Sequence, residues 1–403
     1  MFDGVVRVLA RPGVQLWLTS TALARAAIPQ PEGETVIHTA GTNPARILLV
    51  GSGAAIGFGV FSHELALAGH IGRQLSSLTG RAMDVDVVVE REMTIATIRD
   101  RLARQPIARY DAIVITVGLI EALTFVPAAA WRSGLDATID YIQSLAHEEQ
   151  EIFVIAVPPL GALQRYPAPI RVLGGRHARL LNEQTRELSQ RRRRVTYLPF
   201  EASASQETDR FRGSATYARW AELIAPAIAA KLSAFVGQAE SPSVAPPDES
   251  ERQSTVEALG ILDTPPEERF DRITHTARDL LGTTSAAIVF VDRDRHWFKS
   301  RIGVDIEEMP RSSSLCDVTI QRREHFTAED AALDARFAAN PLVAGWPHMR
   351  FYAGYPIEAP NGVRVGTLCV FDPTPRVLSD ADAALLRGLA LMAQNELRGA
   401  QST

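Results

Sequence analysis

Four short apolar runs, RILLVG, VDVVVE, DAIVITVG and IFVIAVPP, recur between residues 46 and 159, with helix-like stretches between them. Each is rich in Val and Ile, and most run into Gly or Pro. A run that is apolar on both faces has to be buried on both faces, which is the condition of a strand inside a parallel sheet covered by helices. The intervening segments SHELALAGHIGRQLSSLTG, TIATIRDRLARQ and a helix over about 129–147 supply that cover. The pattern predicts an α/β three-layer sandwich with a parallel sheet. On such a sheet functional groups gather at the carboxyl ends of the strands, here Gly51 to Gly59, Val117 to Glu121, and Pro158 onward.

The 403 residues are enough for two or three domains. The sharpest compositional break, VGQAESPSVAPPDESERQ at 236–253, nearly lacks large apolar residues and reads as a linker. A shorter break, PQPEGETVIHTAGTNPA, precedes the first strong strand. The expected division is a leader at 1–43, a domain at 44–235, the linker at 236–253 and a second domain at 254–400. In that second domain the helical TVEALGILD and FDRITHTARDLLG come first. The strand-like AAIVFVD, HWFKSRIG, RFYAGYPI and VGTLCVFD follow, and the helix DADAALLRGLALMAQNEL closes it. Sequential strands between helices predict an α+β domain with an antiparallel sheet.

With 42 Lys+Arg against 47 Asp+Glu, the net charge of −5 offers no broad basic surface, so nucleic acid is not an expected partner. The run RRRR at 191–194, without interleaved aromatics, reads as a solvated edge. Cys316 and Cys369 are too few for a disulfide scaffold and predict a reducing, cytoplasmic setting. No apolar run approaches the roughly 20 residues of a membrane helix, so no membrane association is expected. The N-terminal stretch holds Arg7 and Arg11 and is broken by Pro12 and Gly13, which suits a docking element better than a signal peptide. His275, His296, His325 and His348 lack ligand spacing, and no metal is expected.

VGSGAAIGFGV follows a strand and precedes a helix, the place for a phosphate-cradling loop. Its glycines, Gly51, Gly53 and Gly57, follow G-x-G-x-x-x-G, which departs from the dinucleotide fingerprint, and Glu90 closes the next strand too far along. Taken with DVVVEREMTIATIRDRL, YDAIVITVGLIEAL, FVIAVPPL and FRGSATYARWAELIAPAIAAKL, the loop resembles the SGNH (GDSL-type) hydrolases over residues 46–232. That resemblance implies an SGNH/flavodoxin-like fold and serine-esterase chemistry. In the family a Gly-Asp-Ser motif carries the nucleophile, a later Gly and Asn form the oxyanion hole, and an Asp-x-x-His segment supplies the base. Carried over, Gly51 is kept, Ser52 replaces the motif Asp, and Gly53 replaces the nucleophilic Ser. Gly118 is kept, Ile120 takes the Asn position with Glu121 after it, and Asp209 is kept while Arg212 replaces the His. None of the nine histidines has Asp three residues before it, and an Arg stays protonated at neutral pH. The resemblance therefore implies a catalytically degenerate domain. Two rescues are open: Ser52 as a displaced nucleophile with His63 or His70 as base, against Ser52 as a helix cap; and Ser52 with Arg212 as an anion pocket, against a solvated Arg212.

LGILDTPPEERFDRIT, VFVDRDRHWFKSRIG, SSLCDVTI, DARFAANPLV, MRFYAGYPI and GVRVGTLCVFD together resemble the GAF domains of bacterial sensory proteins over residues 252–400. The resemblance implies a small-molecule ligand and dimerisation through the terminal helices. Cys316, Asp317, Arg350, Phe351 and Tyr352 are the expected ligand-lining residues. Val318 stands where a bilin-binding GAF domain often has His, and Cys369 lies within a strand as core. No cofactor is named beyond that unidentified ligand. The expected function is sensory: a GAF domain coupled to a degenerate hydrolase-like domain, signalling to a partner protein. The rivals are a working esterase using Ser52 under GAF control, and an interaction scaffold with an empty GAF pocket.

Overall fold

The structure, a computed structural model, describes residues 28, 30–31, 35–158, 167–199, 213–233, 248–311, 315–338 and 340–399. Asp209 and Arg212 lie outside the described residues, as does most of the expected leader. The chain divides into two compact units that adjoin in sequence at Ala239 and Glu240.

The first unit is built on β1 (Val36–His38), β2 (Ala45–Gly51), β3 (Met83–Val89), β4 (Ala112–Thr116), β5 (Glu151–Ile155) and β6 (Val195–Leu198), in the order β1-β3-β2-β4-β5-β6. All pairs are parallel except β1 with β3. Residues 36–38, expected in the leader, thus belong to the sheet. Two apolar side chains, Val36 and Ile37, are too few to announce a strand, and pairing of Ile37 with Val85 supplies the rest. Every residue of β2 and β4 is buried, because helices cover both faces. Leu48, Val50, Ile113 and Ile115 face one core with Trp131, Leu135 and Ile139 of the helix Ala128–Leu145 and Leu181 of the helix Ala168–Arg191. Ile47, Leu49 and Val114 face the other, with Ile71 and Leu75 of α1 (Leu67–Thr79) and with Tyr217 and Trp220 of the helix Ser214–Ser233. The period of two along each strand sorts these residues between layers. Without β1 the order is the flavodoxin-like 2-1-3-4-5, which switches direction between β2 and β4.

The second unit has an all-antiparallel sheet, β10-β11-β12-β7-β8-β9. Its strands are β7 (Ser285–Val291), β8 (Arg295–Ile302), β9 (Glu308–Pro310), β10 (Phe326–Ala328), β11 (Phe351–Glu358) and β12 (Arg364–Asp372). The helices Glu268–Leu281 and Asp380–Gly399 cover one face through Phe270, Ile273, Leu386 and Leu389. The other face, the loop face, is covered by connecting segments that include the short helix Leu315–Ile320. The helix Glu249–Leu259 starts inside the expected linker, with Asp248 accepting a capping bond from the Ser250 amide and Gly260 ending it left-handed. Charged residues in its first turns hide this start from an apolar-pattern reading, although they stabilise a helix N-terminus. Among the described residues no helix is long and apolar enough to cross a membrane.

Candidate functional site

In the first unit the switch point brings together the ends of β2 and β4. The Ser52 amide donates to the Thr116 carbonyl at 2.8 Å. The chains meet so closely that a Cβ on Gly51, at φ +145°, would lie 2.4 Å from the Thr116 carbonyl oxygen. Gly118, at φ +115°, is similarly confined, since a Cβ would lie 2.5 Å from Val157. Both glycines kept from the hydrolase pattern are therefore required by packing here.

Gly53 sits at φ +65° with Leu119 as the nearest group. The position has no hydroxyl to offer. Ser52 precedes the 3₁₀ turn Gly53–Ile56, yet its side chain makes no capping bond, and the hydroxyl is buried without a partner. The expected cap is thus absent: Gly53's left-handed backbone departs from the helical first turn that a cap needs. His70 shares a hydrogen bond with the Ser214 hydroxyl at 2.8 Å and meets the Arg73 guanidinium with its other nitrogen. His63 is buried, with Nδ1 unpartnered. Burial lowers the pKa of both imidazoles, and Arg73 lowers that of His70 further. Among the described residues, neither histidine is hydrogen-bonded to Ser52. Ile120 is half-buried, and its carbonyl accepts from Thr124. Glu121 is 1% exposed and accepts from the Ile95 amide at 2.6 Å. Burial raises its pKa against that bond.

In the second unit the five expected lining residues separate. Phe351 and Tyr352 are consecutive on β11, so they point to opposite faces. Phe351 joins the core beneath the long helices, whereas Tyr352 joins the loop-face core with Cys316. Phe351 is therefore not on the expected pocket face. Arg350 is occupied in donating to the carbonyls of Val343, His348 and Met349, and braces that loop. Tyr352 and Cys316 do meet: the phenol oxygen lies 3.6 Å from Cys316 Sγ and 3.0 Å from the Thr319 hydroxyl. Both residues are almost fully buried among Phe326, Phe337 and Met349. Asp317 turns the other way and accepts from Arg311 Nε at 2.8 Å. Burial raises its pKa and Arg311 opposes the rise.

Sequence reasoning missed Arg311. The same guanidinium reaches Glu249 at the start of the helix Glu249–Leu259, with Nη2 at 3.2 Å from Oε2. Glu249 also accepts from Arg252 at 2.6 and 2.9 Å. Arg252 first, then Arg311, holds the Glu249 carboxyl down at about 2. No local motif marks this cluster, because its members are spread from 249 to 317 and only the fold unites them. An open groove of about 860 Å³ lies elsewhere in the unit, lined in part by Thr327, Glu329, Asp330, Leu333, Arg376 and Val377. It contains none of the five expected residues. Among the described residues no group of three or more His, Cys, Asp or Glu is placed to hold a metal ion.

The sequence profile of the GAF domain family matches residues 265–397. The second unit is a GAF domain. A cyclic di-GMP phosphodiesterase of Pseudomonas aeruginosa is 39% identical over 159 residues, which is 39% of this chain and 27% of that protein. The chain thus matches only about a quarter of that relative's length. The GAF domain of an Acinetobacter phosphoenolpyruvate-protein phosphotransferase aligns at 18% identity and TM-score 0.28, over 38% of this chain and 96% of its own. For the first unit, a Desulfitobacterium hafniense protein assigned to the G-D-S-L lipolytic family aligns at 12% identity and TM-score 0.34, over 47% of this chain and 99% of its own. The strand order itself places that unit in the SGNH/flavodoxin-like class, as the antiparallel sheet suits the GAF domain.

Proposed function

We propose that the chain is a regulatory protein whose GAF domain binds a small molecule and passes that state to a hydrolase-like unit without a working Ser/His pair. The observation that carries the reading is Arg311. One guanidinium holds Asp317, beside the loop-face residue Cys316, and Glu249, at the start of the helix leading into the domain. A ligand that displaces the helix Leu315–Ile320 must stretch or break that bridge, so it has a differential contact through which to act. A segment shared with an otherwise longer relative supports a module reused beside different neighbours. Glycine at the nucleophile position, and an unbonded Ser52 with His70 engaged by Ser214 and Arg73, support the loss of hydrolysis.

Mass spectrometry of small molecules released from the purified full chain tests the first half. A stoichiometric metabolite that raises the melting temperature on re-addition is expected; none in either assay favours a scaffold. Leu333→Ser in the groove and Tyr352→Phe on the loop face then locate the site by which one loses the ligand. For the second half, p-nitrophenyl ester turnover indistinguishable from background is expected in wild type and Ser52→Ala. Turnover that disappears with Ser52 establishes the esterase instead.

A further inference from the structure

The two cysteines of the chain are both buried, both unbridged, and both in the loop-face core of the GAF domain. Their neighbourhood follows from the strand register. Cys369 on β12 pairs with Gly354 on β11 and with Ala287 on β7. A Cβ on Gly354 would lie 2.3 Å from the Tyr352 phenol oxygen and 3.0 Å from the Thr319 hydroxyl. The missing side chain at 354 therefore lets the helix Leu315–Ile320 settle directly over the sheet beside Cys369. Cys316 lies three residues before Thr319, on the same face of that helix, and its sulfur takes the Tyr352 hydroxyl at 3.6 Å. The Cys369 thiol, which donates to the Ala287 carbonyl at 3.6 Å, lies in the same buried core as Cys316.

From this juxtaposition we infer that Cys316 and Cys369 form a peroxide-oxidisable dithiol, a modification site that closes to an intramolecular disulfide in the folded domain. Cys316 is the attacking sulfur. It is 8% exposed against 2% for Cys369, so a small oxidant meets it first. The neighbouring Cys369 thiol, aided by His296, brings the Cys316 thiol down to about 6 in spite of burial. Cys316 and burial together raise Cys369, which keeps its proton. The Cys316 thiolate attacks one oxygen of hydrogen peroxide, the O–O bond breaks, and hydroxide leaves to become water, giving Cys316 sulfenic acid. The Cys369 sulfur then attacks Cys316 sulfur, the S–O bond breaks, and the departing hydroxide takes the Cys369 proton as a second water. Two thiols are oxidised by two electrons in all, and one peroxide is reduced to two waters.

The test uses the full chain. After brief exposure to hydrogen peroxide and quenching, the protein is denatured in iodoacetamide, digested with trypsin and weighed. Cleavage after Arg311, Arg322, Arg364 and Arg376 places the cysteines in peptides 312–322 and 365–376. The expected product is these two peptides joined, two hydrogens lighter than their sum and separated by a thiol reductant. Under the same treatment Cys369→Ser is expected to carry Cys316 on to sulfinic acid. Alkylation of both wild-type cysteines overturns the inference, as does sulfinic Cys316 beside alkylated Cys369, or a disulfide-linked dimer on a non-reducing gel. A link that forms faster in urea than in buffer also overturns it, because closure then belongs to the unfolded chain. These outcomes are independent of whether a metabolite occupies the domain.

Discussion

Two residues show how much of the candidate site can be read from sequence. Gly51 and Gly118 are visible as glycines of a known pattern, yet their reasons are steric. Gly51→Ala would drive a Cβ into the Thr116 carbonyl at a backbone angle that side chains rarely adopt. We expect a loss of roughly 2–4 kcal/mol, seen as a lowered midpoint in urea unfolding of the first unit. Glu249 is the opposite case: an ordinary acidic residue in a polar stretch, given its role only by Arg252 and Arg311. Its folded-state pKa of about 2 lies below the ordinary 4.5. The stabilisation is therefore present in full above pH 4.5 and is lost as pH falls towards 2. Glu249→Gln should cost about 0.5–1 kcal/mol at neutral pH, discounted for the solvent around this carboxylate. The difference from wild type should close on acidification below the ordinary value, as a pH series of melting curves would reveal.

Among elements, the buried strands were legible because Val and Ile runs between Gly or Pro have few other uses. The helix Glu249–Leu259 was not, since only Arg252, Gln253 and Val256 of it are buried, and two of those three are polar. Its stability leans on its ends. Asp248→Ala should remove the capping bond to Ser250 and cost about 1 kcal/mol, measurable by the thermal midpoint of the GAF domain. The expected binding set also divides at this scale. RFYAGYPI was recognisable as a strand, but alternation along it divides Phe351 from Tyr352 between two cores. A family likeness delivers neighbours in sequence, whereas a site is made of neighbours on one face. Arg350 likewise reads as a ligand-lining residue until the loop carbonyls it serves are in view.

At the scale of the whole molecule, the two architectures were legible because each has its own order of strands and helices. What composition does not reveal is how the first sheet ends. β3 has seven residues and would present a long row of unpaired amides and carbonyls on the side away from β2. The three residues of β1 occupy that row, and His38 fastens to Asp84 of β3 at 2.6 Å. A short strand is a poor template for further pairing, and a long one is a good template. A chain lacking residues 1–43 should keep its far-ultraviolet signal but aggregate faster on warming, as light scattering would record; unchanged scattering would show that the margin needs no cover. The few residues between the N-terminal stretch and the first buried strand thus act as a selvedge, guarding solubility by stopping the weave where another chain would otherwise take it up.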